Sequence, residues 1–118
     1  MFGRLPLVLA LAVGLAPSAF AHAFLERAVP AAGSTVAAAP ASLRLRYTEA
    51  VVPHFCIVQV LDAGGHPVAA GPPRAVEDNR TLLVDLPNLA PGTYTVVWHV
   101  TAEDTHKTEG RFRFSIAP

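Results

Sequence analysis

The sequence predicts an all-β domain, an immunoglobulin-like Greek-key β-sandwich or barrel of about seven antiparallel strands. Three observations predict this fold. Apolar and polar residues alternate in several short runs, Pro and Gly interrupt the 118-residue chain at short intervals, and no segment keeps the 3.6-residue apolar period of a helix. Short strands separated by regular turn signals are typical of two packed antiparallel sheets.

The first half of the domain contains three predicted strands. Residues 23–29 form the first, which ends at Pro30. In residues 43–47, leucine and tyrosine alternate with arginine, which predicts a half-buried strand. Residues 55–61 are apolar on both faces, so we expect a central strand there.

Three further runs predict the second half. Residues 81–86 form a strand stopped by Pro87. Residues 93–101 alternate, and so do residues 111–116. In each of these two runs one face is apolar and is expected to pack into the core: Tyr94, Val96, Trp98 and Val100 in the first, and Phe112, Phe114 and Ile116 in the second.

The first 21 residues have the order of a secretory signal peptide. Arg4 is their only charge, residues 5–16 are almost wholly apolar, and Ala19-Phe20-Ala21 has the small-x-small form that precedes a signal-peptide cleavage site. The alternative, a membrane-spanning helix, needs about 20 apolar residues, and the run is shorter. We therefore expect an exported protein, cleaved after Ala21, whose single domain comprises residues 22–118.

Charge and cysteine content narrow the function classes. Lys and Arg number nine, as do Asp and Glu, which gives no electrostatic case for binding nucleic acid. The single cysteine, Cys56, excludes an internal disulfide. It lies in a β-rich apolar run, which favours a buried and inert thiol.

The expected cleavage exposes a histidine as the first residue. An N-terminal histidine offers its α-amine and its imidazole Nδ1 to one metal ion. The α-amine has a pKa of about 7.7–8.0, so a metal displaces its proton readily near neutral pH. His22 is therefore a candidate chelating residue.

Asp104 and His106 are the other candidate metal ligands. Residues two apart in an extended chain point to the same face, so we expect both side chains to reach one ion. Nitrogen and oxygen donors of this kind favour Cu(II), although ligand type alone also allows Zn(II) or Ni(II). Met1 is the only methionine and leaves with the signal peptide, so we expect no Cu(I) site.

The chain resembles the CopC-type periplasmic copper-binding proteins over nearly all of residues 22–118. The segments that carry the resemblance are His22-Ala23-Phe24-Leu25, residues 28–34, residues 45–49, residues 91–98, Asp104-Thr105-His106, and Gly110 with Phe112 and Phe114. The resemblance implies a seven-stranded Greek-key fold, export to the periplasm and a role in copper homeostasis or resistance. It further implies tight binding of Cu(II), one ion per mature chain, and an inner-membrane copper-uptake protein as partner.

The resemblance also implies roles for individual residues. His22 supplies amine and imidazole, His106 a second imidazole, and Asp104 a carboxylate at or near the metal. Glu49 matches a family glutamate near this site and is expected to orient the amine or a bound water. Some family members carry a methionine-rich segment, whereas the corresponding region here has His66 and no methionine. The protein is expected to be a monomer and not an enzyme.

Two other functions remain open at this point. An N-terminal histidine with a second histidine is also the histidine brace of polysaccharide-cleaving copper monooxygenases, which need a broad surface, usually with exposed aromatic residues. The aromatic residues here mostly fall in strand patterns that suit a core. A metal-free immunoglobulin-like assembly module is the third possibility, and it leaves His22, Asp104 and His106 unexplained.

Overall fold

The computed structural model describes residues 22–118, and the predicted signal peptide, residues 1–21, lies outside them. Eight strands of the described chain form two four-stranded sheets. The first sheet has, in spatial order, the strands β1 (Leu25–Val29), β3 (Ser42–Tyr47), β6 (Thr81–Asp85) and β5 (Arg74–Val76). The second has β2 (Thr35–Val36), β8 (Lys107–Ile116), β7 (Gly92–Thr101) and β4 (Ile57–Leu61).

The order of the strands is that of an immunoglobulin-type sandwich. All neighbouring strands are antiparallel except β2, which pairs in parallel with β8. Taking β1, β3, β4, β5, β6, β7 and β8 as strands A to G, the sheets read A-B-E-D and G-F-C. The predicted fold class is confirmed, with β2 as an additional short strand. No helix within residues 22–118 is long and apolar enough to span a membrane.

The core lies between the two sheets and follows the alternation in the sequence. In β3 the leucines and Tyr47 are buried and the arginines are partly exposed. The predicted inward face of β7 is buried along its whole length. Tyr47 and Trp98 meet edge to face across the sandwich, with ring centroids 5.2 Å apart, which ties the first sheet to the second.

The prediction of a central strand at residues 55–61 is wrong. Phe55 belongs to a short 3₁₀ turn, Pro53–Phe55, and β4 is the outermost strand of its sheet. Val58 and Val60 face the core, but Ile57 and Phe55 are each 63% exposed. A strand that is apolar on both faces is buried on both faces only when another element covers its outer face. No part of the described chain covers the outer face of β4.

Two strand boundaries differ from the predictions at the end of the sandwich where His22 lies. β1 begins at Leu25 instead of Ala23, and β8 begins at Lys107, four residues before the predicted start. The hairpin of β7 and β8 pairs continuously from Gly92 opposite Ile116 to Thr101 opposite Lys107. This long hairpin carries residues 102–106 at its tip.

Candidate metal centre

The segment that begins at His22 is fixed to both sheets by threonine hydroxyls. Thr48, which follows β3, donates a hydrogen bond to the His22 carbonyl (3.1 Å) and accepts one from the Phe24 N–H (2.9 Å). Thr108 in β8 donates to the Ala23 carbonyl at 2.6 Å. Ala23 itself is 1% exposed. His22 therefore has a defined place in the fold although it precedes the first strand.

Asp104 and His106 lie in the turn of the β7–β8 hairpin, so the expectation of an extended segment is wrong. The Ala102 N–H bonds to the His106 carbonyl at 2.9 Å, and Thr105 has a φ of 77°. Asp104 Oδ1 accepts the His106 backbone N–H at 3.0 Å, a bond typical of turn-forming aspartates. The turn still brings the two side chains together, because it curls the chain back on itself.

The Asp104 carboxylate is also bound to the imidazole of His106. Asp104 Oδ2 lies 3.1 Å from His106 Nδ1. Hydrogen bonds from the ring and the backbone of His106 lower the pKa of Asp104 against the effect of desolvation, and the charges of His106 and His22 add to the lowering. The carboxylate is therefore ionised and can only accept, so His106 Nδ1 carries the proton in this bond.

The imidazoles of His22 and His106 are neighbours. Their ring centroids lie 5.0 Å apart with an interplanar angle of 66°. His22 is half-buried, whereas the His106 side chain is 46% exposed. The structure thus brings His22, His106 and Asp104 to one end of the sandwich, although His22 precedes the first strand and the other two lie in a hairpin turn some 80 residues later.

Side chains alone do not complete a metal site at this place. Within residues 22–118, no three or more His, Cys, Asp or Glu side chains are grouped so that they hold a metal ion by themselves. The donor set contains two imidazoles with a carboxylate bonded to one of them.

Comparison with known proteins identifies the family of this fold. The family model described as the CopC domain matches residues 25–117. The chain belongs to the CopC family. This confirms the resemblance drawn from the sequence.

Several relatives of this CopC-family chain bear names connected with copper. Protein YobA of Escherichia coli K12 is 39% identical over 102 residues, covering 85% of this chain and 82% of YobA. Copper resistance protein C of Escherichia coli is 32% identical over 114 residues, which are 90% of each protein. The crystal structure of CopC from Methylosinus trichosporium OB3b superposes with a TM-score of 0.78 at 35% identity, covering 82% of this chain and 95% of that one. The CopC family to which the chain belongs thus includes proteins named for copper resistance, and membership of this family agrees with the prediction that the chain is not an enzyme.

Glu49 is exposed in this CopC domain and directly follows Thr48. Thr48 bonds to the carbonyl of His22, so Glu49 lies one residue from a contact of His22. The expectation that Glu49 orients the amine stays a prediction.

The remaining histidines of the CopC domain lie on the surface. His66 lies in a turn with its side chain 80% exposed, and its Nδ1 is 3.4 Å from Asp62. His99 Nδ1 lies 3.4 Å from Glu109, and its side chain is 53% exposed. His54 is exposed beside Phe55.

Cys56 is buried, as predicted. Its Sγ donates to the Val52 carbonyl at 3.2 Å. Burial raises the pKa of the thiol, with the hydrogen bonds to Thr101 and Val52 acting against it, so the thiolate that binds soft metals is disfavoured at neutral pH.

Three contacts of the segment that begins at His22 are not predicted by the sequence. Thr48 and Thr108 hold the backbone of the first residues, and neither carries a sequence signal, because each contact joins segments far apart in the chain. Phe24 was expected in a strand. It is instead 56% exposed and presents its ring edge-on to His22, 5.9 Å between centroids.

Proposed function

We propose that the mature protein begins at His22 and carries or sequesters one Cu(II) ion in the periplasm. The ligands are the His22 amine and imidazole, the His106 imidazole, and the Asp104 carboxylate at or near the metal. The observation that carries this proposal is the adjacency of the two imidazoles, 5.0 Å apart, at the expected start of the mature chain.

The His22 amine is the donor that proteolysis creates. In the precursor, the nitrogen of His22 is an amide bonded to Ala21 and binds metal poorly. Cleavage after Ala21 converts it into an amine with a pKa of about 7.7–8.0, beside an imidazole on the same residue. Since a metal competes only with that readily lost proton, copper binding becomes coupled to export and processing.

Asp104 prepares His106 for the metal. Because Asp104 takes the proton-bearing Nδ1 of His106, the imidazole would bind copper through Nε2. Carboxylate partners of this kind fix the ring and make it a stronger donor. The carboxylate keeps lone pairs beyond its two hydrogen bonds, and its negative charge offsets part of the charge of a dication.

The donor chemistry supports Cu(II) and not Cu(I). Nitrogen and carboxylate donors suit Cu(II), which also has the highest affinity among divalent first-row ions. The soft donors that Cu(I) prefers are absent from residues 22–118 except for Cys56, and that thiol is buried and protonated.

The remaining expectations form part of the same proposal. The protein acts as a monomer in the periplasm and exchanges copper with an inner-membrane copper-uptake protein. Glu49, next to Thr48, orients the amine or a bound water. Each of these rests on the resemblance of the sequence to the CopC-type proteins.

The decisive experiment uses protein secreted and processed from the full chain. Mass spectrometry gives its N-terminal residue, and titration gives its copper stoichiometry. We expect His22 first and one tightly bound Cu(II) per chain. As a matched control, the same protein acetylated at its α-amine should bind copper at least about 100-fold more weakly. Equal affinity of the two forms would refute the amine as a ligand.

A further inference from the structure

We propose that Thr48 and Thr108 are positioning residues that hold the first residue of the mature chain in its metal-binding conformation. This inference rests on the proposed function, since it assigns these hydroxyls a role in copper affinity. The structural basis is a pair of contacts from opposite sheets onto two successive carbonyls, those of His22 and Ala23.

The Thr48 hydroxyl both donates and accepts a hydrogen bond. It accepts the Phe24 N–H at 2.9 Å and donates to the His22 carbonyl at 3.1 Å, and the backbone N–H of Thr48 donates to the Phe24 carbonyl at 2.9 Å. Only a hydroxyl side chain of this size donates and accepts at once in so small a space. Thr48 thus ties the residues on both sides of Ala23 to the end of β3.

Thr108 ties the same segment to the strand that carries the second imidazole. It lies two residues after His106, in β8, and donates to the Ala23 carbonyl at 2.6 Å. Because His106 and Thr108 are so close along one chain, this bond sets the position of His22 relative to His106. The spacing of the two imidazoles is therefore a property of the fold, present before any metal arrives.

The consequence is preorganisation of a chain terminus. The first residues of a domain commonly fray unless something ties them down. With the carbonyls of His22 and Ala23 both held, the freedom left to His22 lies mainly in rotations about its own Cα bonds. A ligand residue that is already ordered loses less entropy on binding, so these hydroxyls should raise copper affinity without touching the metal.

The magnitude follows from the worth of a single hydrogen bond. Replacing either threonine by valine keeps the shape and removes the hydroxyl. If residues 22–24 then fray in the metal-free protein, copper binding has to reorder them. The free energy lost in this reordering is that of about one net hydrogen bond, which corresponds to about a threefold to tenfold loss of copper affinity. The double variant should lose more than either single variant.

The test compares Thr48→Val and Thr108→Val with Thr48→Ser, Thr108→Ser and the control Thr93→Val. Thr93 also makes a hydroxyl hydrogen bond, to Ser115 at 2.9 Å, but at the far end of the β7–β8 hairpin. We expect weaker Cu(II) binding and an altered electron paramagnetic resonance spectrum in both valine variants at the site. The serine variants should restore both properties, and Thr93→Val should change neither.

Each outcome separates this inference from the proposed function. If wild-type protein binds Cu(II) and both valine variants at the site keep its affinity and spectrum, the positioning role is refuted and the proposed function stands. If wild-type protein binds no Cu(II), both fall. A measurement that needs no variant is hydrogen exchange in metal-free wild type. The Phe24 amide should be protected, and exchange at the rate of an unstructured peptide would overturn the inference.

Discussion

Replacing Gly110 by alanine should destabilise the fold that positions the candidate metal centre, because Trp98 occupies the space that a methyl group would need. Gly110 lies in β8 directly opposite Trp98 in β7. A Cβ at this position would lie 2.5 Å from Cζ2 and 2.8 Å from Cε2 of the indole. Carbon atoms in contact prefer about 3.5–4.0 Å, so the indole has to retreat by about 1 Å.

The indole has little room for that retreat. Trp98 is 5% exposed and packs against the fully buried ring of Tyr47, 5.2 Å away. Overpacking of this kind costs about 1–3 kcal/mol, and the lower flexibility of alanine in the unfolded chain recovers about 0.4–1 kcal/mol. We therefore expect Gly110→Ala to lower the free energy of unfolding by about 1–2 kcal/mol.

Urea unfolding followed by circular dichroism and by the fluorescence of Trp98 measures this loss. Gly71→Ala is the matched control, since a Cβ there would meet Asp85 at an ordinary 3.5 Å, and it should leave the stability unchanged or slightly higher. A Gly110→Ala protein as stable as wild type would show that the indole shifts without strain, and the packing argument would be wrong.

Three further predictions concern single side chains. Because His106 lowers the pKa of Asp104 in the folded protein, the ionised carboxylate stabilises the fold above its unfolded pKa of about 3.9. That contribution is lost as the pH falls through the folded pKa, so Asp104→Asn should flatten the acid side of the stability profile, and an unchanged profile would contradict the pairing. The buried Cys56 thiol should react with a disulfide reagent only after unfolding in urea, and rapid reaction of the native protein would refute its burial. Tyr47 is fully buried and its hydroxyl has no hydrogen-bond partner among residues 22–118. Tyr47→Phe should therefore change the free energy of unfolding by less than about 1 kcal/mol or raise it. A larger loss in thermal or urea unfolding would show that the hydroxyl is satisfied.

The sequence was sufficient to predict the fold class and most of the core. Strict alternation in β3 and β7 marked which side chains face inward, because a half-buried strand has a period of two. The strands β2 and β5 escaped prediction, since two or three residues carry no period. The edge position of β4 also escaped, because strand order depends on contacts between distant segments.

The candidate site could be predicted as a set of residues but not as a geometry. The structure places His22, Asp104 and His106 side by side, and their role as metal ligands stays a prediction. The extended chain expected at Asp104 and His106 is wrong. The turn with its positive φ at Thr105 brings them together instead. Thr48 and Thr108 could not be found from the sequence, because a threonine is also an ordinary strand residue.

Counting the nitrogen atoms bound to copper tests the central claim most directly. Electron paramagnetic resonance of the natively processed protein with one equivalent of Cu(II) resolves nitrogen couplings. We expect three nitrogen donors, namely the amine and ring of His22 and the ring of His106, and the loss of at least one of them on acetylation of the amine. A spectrum with fewer nitrogens, or one that acetylation leaves unchanged, would contradict it.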